Sequence, residues 1–244
     1  MEIIPAIDLR QGQVVRLSQG DFNRQSTFSD DPLKVAQGFV DAGAIRIHVV
    51  DLDGALEGSP QQSELYGALA RSLSVPLEVG GGFRAKDHVA TALDAGIGRI
   101  VLGTAAIADP DMVEQAIEKH GANRVVVGLD ANNGKVAVSG WTKTTDVDAI
   151  DLMTHMYEVG VRRFVFTDIA RDGTLTEPNF DSVAVMVQHG IALGDGHIIA
   201  SGGIGELDHL RRLTNLGAEG AIVGTAIYRG TIDLAEAIHE LGAS

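Results

Sequence analysis

Leu102-Gly-Thr-Ala-Ala106 and Val223-Gly-Thr-Ala-Ile227 are one short text written twice: an apolar strand end, then Gly-Thr, then a small apolar turn. The doubling continues outward. Val79-Gly-Gly-Gly-Phe83 is answered by Ala200-Ser-Gly-Gly-Ile204, Asp8-Leu-Arg-Gln-Gly12 by Asp130-Ala-Asn-Asn-Gly134, and Gly43 with Asp51 by Gly160 with Asp168. The offsets are 121, 121, 122 and 117, all near half of the 244 residues. A repeat on that period reads as two similar halves.

Between these landmarks, short apolar runs alternate with segments of helical period. Strands are expected at Ile3–Ile7, Ile45–Val50, Pro76–Val79, Arg99–Leu102, Arg124–Leu129, Arg162–Thr167, His197–Ala200 and Gly220–Val223. Asp31-Pro32 and Asp109-Pro110 are helix starts, with a capping carboxylate followed by a proline whose missing N–H costs nothing there. Gly96 and Gly217 are placed to end helices in the left-handed conformation. Eight strands alternating with helices predict an α/β protein, a single (β/α)8 TIM barrel spanning 1–244. Its half-barrels would cover about 1–122 and 123–244. An open doubly wound sheet would not need the repeat.

Composition narrows the partners. Nineteen Lys and Arg against 33 Asp and Glu give a formal net charge of −14, the wrong sign for a nucleic-acid backbone or an anionic membrane surface. Neither is an expected partner. Zero cysteines exclude a disulfide framework, a thiolate metal site and a cysteine nucleophile. Met1-Glu2-Ile3-Ile4-Pro5 is no basic leader, and no apolar run approaches the roughly 18 residues of a spanning helix, so a cytoplasmic protein is expected.

In a parallel barrel all strands open their C-terminal ends onto one face, where sites of this fold lie. Two glycine-rich sets fall there: Gly81, Gly82, Gly103 and Thr104 after the third and fourth strands, and Gly202, Gly203, Gly224 and Thr225 after the seventh and eighth. Glycines let backbone N–H groups close on a phosphate, with a threonine hydroxyl beside them. The plainer reading of any one Gly-Gly is a tight turn. Matched sets half a barrel apart favour a small-molecule substrate with two phosphates.

Asp8 and Asp130 end the first and fifth strands, opposite each other across the mouth and between the cradles. Carboxylates reaching a spanning substrate from both sides suit one general base and one general acid. Each could also cap its own loop or pair with an arginine. Asp172, in Ala170-Arg-Asp-Gly-Thr174, is a second candidate acid or a plain Asp-Gly turn, and Thr167 ends the strand before it. Asp51 and Asp53 read as structural. His48 lies three residues before Asp51, on the opposite face of a strand; no His pair has ligand spacing, and no metal is expected. Segments 18–30 and 132–146 are long for this fold and read as lids. The lone tryptophan, Trp141, lies in the second, placed to stack on a heterocycle or simply to pack its loop.

Ile4-Pro-Ala-Ile-Asp-Leu9, His48-Val-Val-Asp-Leu-Asp-Gly54, Gly80-Gly-Gly-Phe-Arg84, Gly128-Leu-Asp-Ala131, Arg171-Asp-Gly-Thr-Leu175 and Ala200-Ser-Gly-Gly203 together resemble the phosphoribosylformimino-AICAR isomerase family of histidine biosynthesis, in order and nearly end to end. The resemblance implies a cofactor-free aldose-to-ketose (Amadori) rearrangement of a sugar derivative with a phosphate at each end. It implies Asp8 as the base, Asp130 as an acid or its orienter, Asp172 as an alternative acid, and Thr167 near the reacting sugar. Arg16, Lys143 and Trp141 fall on loops around the substrate. No cofactor and no obligate protein partner are implied. A dual-substrate isomerase that also takes phosphoribosylanthranilate shares these motifs. A non-catalytic bisphosphate-binding barrel would be marked by loss of Asp8 or Asp130, and both are present. The cyclase barrel of the same pathway shares the repeat but typically reads Cys-Leu-Asp-Val where this chain has Ala6-Ile-Asp-Leu9. Thr225 stands where the family often carries a basic residue, which implies a weakened or replaced distal phosphate contact.

Overall fold

Asp31 and Asp109 accept hydrogen bonds from the N–H groups of Lys34 and Met112, at 3.0 and 3.1 Å, and each is followed by its proline at the first helical position. Gly160 and Gly217 close their helices at φ 113° and 91°, where a side chain would be strained. In the computed structural model, which describes residues 1–242, these local signals produce eight strand–helix units. Residues 243 and 244, the end of the proposed second half, lie outside the described residues.

The strands are β1 (Glu2–Arg10), β2 (Ile47–Asp51), β3 (Leu77–Gly80), β4 (Arg99–Leu102), β5 (Val125–Asn132), β6 (Arg163–Asp168), β7 (His197–Ser201) and β8 (Gly220–Val223). Each pairs in parallel with the next, and β8 pairs in parallel with β1, so the sheet closes. The main helices are α1 (Pro32–Asp41), α2 (Ser63–Ser72), α3 (Lys86–Asp94), α4 (Pro110–His120), α5 (Ala149–Val159), α6 (Phe180–Leu193), α7 (Leu207–Leu216) and α8 (Leu234–Leu241). The fold is a single (β/α)8 barrel. Among the described residues no helix is long and apolar enough to cross a membrane.

Alternation along the strands divides the interior in two. Outward residues such as Ile7, Ile47, Leu77, Ile100, Val127 and Phe164 pack beneath the helices in one large core. Inward residues Ile4, Ala6, Val126, Val165, Ile199 and Ile222 fill the barrel itself. Below them the inward positions turn ionic. Glu78, fully buried, is 2.9 Å from His48 Nδ1 and 3.4 Å from Arg99 Nη1, while Glu2–Arg46 and Glu219–Arg163 pair at 2.8 and 2.9 Å. Burial pushes the Glu78 carboxyl up, but the His48 hydrogen bond and the charges of His48, Arg99 and Arg46 together hold it below the usual carboxylate range. This charged layer plugs the bottom of the barrel and leaves the top as the functional end.

The two expected lids are antiparallel hairpins rather than loops. β1 turns at Gln11-Gly12, φ 50° and 78°, into a strand at Gln13–Ser18, followed by Asp21–Ser29; β5 turns at Asn133-Gly134, φ 49° and 79°, into Lys135–Val138 and Lys143–Asp148. Two successive positive φ values form the tight turn whose twist matches its strands. That geometry explains why the repeat keeps Gly12 and Gly134.

Candidate active site

Strand ends define the site. Asp8, Asp130 and Thr167 point inward at the tops of β1, β5 and β6, and Asp172 joins them from the β6 loop around a cavity of about 210 Å³. Thr167 is directly beside Asp130 in the sheet register and 4% exposed. The structure thus brings all four expected catalytic residues together.

Their surroundings differ. Asp8 Oδ1 lies 2.9 Å from Arg16 Nη1; burial raises its carboxyl, opposed by the charges of Arg16 and His48. Asp130 accepts a 2.9 Å hydrogen bond from Trp141 Nε1, and burial raises it against that bond and the Thr167 hydroxyl. Asp172 is pushed up to about 6, chiefly by burial and further by the Asp8 and Asp130 charges, with Arg16 opposing. Three carboxyls around one cavity cannot all ionise cheaply. Asp172 is therefore suited to exchange a proton near neutrality, while at Asp8 the Arg16 guanidinium opposes burial and favours the carboxylate.

The glycine sets flank this centre. Gly81 and Gly82 lie at φ 104° and 82°, and Gly202 and Gly203 at 88° and 77°. A Cβ on Gly82 would stand 2.6 Å from the Ser59 backbone, and one on Gly203 2.9 Å from Pro178 N. These values show that the turns themselves require glycine, the plainer of the two readings. Gly103 is different: a Cβ there meets nothing within 4 Å, and it faces the cavity. Thr104 accepts a 3.0 Å hydrogen bond from Ser139 N–H of the second hairpin. Gly224 and Thr225 border the second cradle together with Arg16, so a guanidinium lies where the sequence suggested a lost basic residue.

Trp141, at φ 66°, follows Ser139 and Gly140 in a run of left-handed residues that turns its ring over the mouth. The ring lies against Gly20 at the tip of the first hairpin, where a Cβ would collide with it. Lys143 is exposed and does not line the cavity. Asp51 is structural as read, accepting from the N–H groups of Gly54, Gln61 and Gln62. Two basic cavity residues were given no substrate role by the sequence reading. His48 lines the cavity floor, and strand alternation, which places it inward beside Ala6, was the available signal. Arg84 reaches the wall near the first cradle, donating to Ala55 O at 2.9 Å, a placement no sequence pattern marks. Among the described residues, no group of three or more His, Asp and Glu is placed to hold a metal ion.

Fold and site define a (β/α)8 barrel with paired glycine turns on either side of a carboxyl cluster. Over residues 2–233 the chain matches the histidine biosynthesis protein family, and it belongs to that family. It is 48% identical over 239 residues to a protein of Roseiflexus castenholzii, covering 98% of both chains. A Dehalococcoides mccartyi protein is 48% identical over 99% of this chain and 100% of its own, and one of Listeria welshimeri 44% identical over 97% and 96%. All three carry the name 1-(5-phosphoribosyl)-5-((5-phosphoribosylamino)methylideneamino) imidazole-4-carboxamide isomerase.

Proposed function

We propose that this chain is an isomerase of the same kind, converting the phosphoribosylformimino-AICAR aminoaldose to its phosphoribulosyl ketose in histidine biosynthesis. The observation that carries the reading is the carboxyl cluster of Asp8, Asp130 and Asp172 lying between two glycine cradles. The substrate named for the relatives has two phosphoribosyl groups, hence a phosphate near each end. One phosphate would rest on Gly81, Gly82, Gly103 and Thr104, the other on Gly202, Gly203, Gly224 and Thr225. Arg16 and Trp141 would contact what lies between.

Asp172, raised to about 6 chiefly by burial so that it exchanges a proton near neutrality, gives its proton to the ring oxygen; the C1–O bond breaks and the nitrogen lone pair forms the C1 iminium. Asp8 takes the proton from C2, and the freed pair makes the C1–C2 double bond as the iminium electrons return to nitrogen. The resulting enolamine then loses its O2 proton and gains one at C1, leaving the ketose. Atoms balance, and paired acid and base groups suffice. Asp130, anchored by Trp141 and Thr167, orients the sugar hydroxyls. Membership in an amino-acid biosynthesis family supports a cytoplasmic setting.

A steady-state assay with the aminoaldose bisphosphate tests this. Turnover is expected in the parent, and Asp8→Asn should lower kcat by at least about a thousandfold with KM nearly unchanged, because the base acts in the transition state. Near-parent turnover in that variant would remove Asp8 from the mechanism. The same assay with phosphoribosylanthranilate measures substrate breadth.

A further inference from the structure

The two halves of the mouth are not equivalent. The first cradle opens onto the main cavity, and its threonine hydroxyl is engaged by Ser139. At the second, only about 20 Å³ remains free, and Arg16 lines both that space and the main cavity. The guanidinium lies against Gly224, where a Cβ would collide with Nη2. Arg16 Nη1 is close enough to Asp8 to pair ionically at 2.9 Å, yet it makes no aligned hydrogen bond, and Nε has no acceptor. Thr225 Oγ1 is likewise buried without a partner. Leaving such atoms unpaired is costly, and an anion with several acceptor oxygens would satisfy them.

We propose that Arg16 is a positioning residue that couples the second cradle to the base: a phosphate arriving beside Gly224 and Thr225 draws the guanidinium off Asp8, and Asp8 becomes a stronger base only once the second cradle is filled. The coupling rests on the isomerase reading above. A guanidinium beside a carboxylate favours its ionised form and so weakens it as a base. A phosphate dianion offers the planar fork a bidentate partner of higher charge, and competes for it effectively. Arg16 already borders both places, so the exchange needs only a side-chain shift. Binding energy from the remote phosphate is thereby expressed in the chemical step rather than in ground-state affinity.

The test uses the full chain and two truncated aminoaldoses, each lacking one terminal phosphate, assayed with and without phosphite dianion. Phosphite should raise kcat/KM for both, and for the substrate lacking the second-cradle phosphate by about tenfold, equivalent to one pKa unit in the base. Arg16→Gln should abolish the activation for one truncated substrate, the one whose missing phosphate belongs to the second cradle, and preserve it for the other. Arg16→Lys, which keeps the charge without the fork, should retain part of it. In the parent, the acid limb of kcat should lie at higher pH than that of kcat/KM, and Arg16→Gln should narrow this gap, which a merely structural residue would not do. Equal phosphite activation of both truncated substrates in the parent and in Arg16→Gln overturns the coupling, as does no activation in a chain that turns over the whole substrate. A chain inert to the whole substrate overturns the isomerase reading and the coupling with it.

Discussion

Asp172 shows how position makes an acid. Its carboxyl shares the cavity with Asp8 and Asp130 and keeps its proton to about pH 6, whereas an unfolded aspartate loses it near about 3.9. Between those values the folded state binds the extra proton, so stability falls as pH rises through the window and the loss is complete above it. Asp172→Asn removes that loss. Thermal melts should show the variant about 2–4 °C above the parent at neutral pH, a figure kept near 1 kcal/mol because cavity water still reaches the group, with the advantage gone below about pH 3.9. A variant that melts lower at every pH contradicts this. Gly103 offers a cleaner probe of phosphate binding than the strained glycines, since a methyl there touches nothing in the protein. Gly103→Ala should leave the Tm within about 2 °C and raise KM roughly tenfold by occupying the phosphate's place, a cost of about 1.4 kcal/mol. An unchanged KM would empty the first cradle of its role. At this scale Asp8 and Asp130 were legible because a repeated strand end announces them. His48 was weighed only as a metal ligand, because its partner, Glu78, lies 30 residues away on the next strand.

The hairpins are the elements that close the mouth. Gln19 donates from its backbone to Asp172 O at 3.1 Å and from its side chain to Ala170 O at 2.8 Å, tying the first hairpin to the β6 loop. The second hairpin brings Trp141 onto Gly20 and onto Asp130 at once. Gly20→Val would combine a strained φ of 70° with a clash on the indole ring. The expected result is a several-fold higher KM and a shift in the emission of the single tryptophan, with the barrel's circular dichroism unchanged; parent-like emission would show that the ring does not depend on Gly20. These segments were legible as long connections but not as strands. Asp21–Ser29 is largely exposed, so it carries no apolar alternation to read. Only the Asn133-Gly134 pair signalled a hairpin, and it sits in a segment whose length suggested a lid.

For the whole molecule, the closed barrel follows from text that the two halves share, because equivalent strand ends must meet on one face. What the repeat could not convey is where the halves diverge. Arg16 from the first hairpin fills the second cradle, whereas Lys143 of the second hairpin stays exposed and lines neither cradle. Side chains that cross from one half to the other depend on hairpin geometry rather than on strand order, so strand-level reading does not reach them. The ionic plug under the barrel, with Glu78 between His48 and Arg99, escaped because its partners sit on neighbouring strands, 30 and 21 residues away in sequence. A crystal structure of the Asp8→Asn variant with the aminoaldose bisphosphate bound bears most directly on the whole account. It should show one phosphate against Gly82 and Gly103, the other against Gly203 and Gly224, and C2 of the sugar within contact of residue 8. A ligand anchored at one end only, or a sugar turned away from the carboxyls, would contradict it.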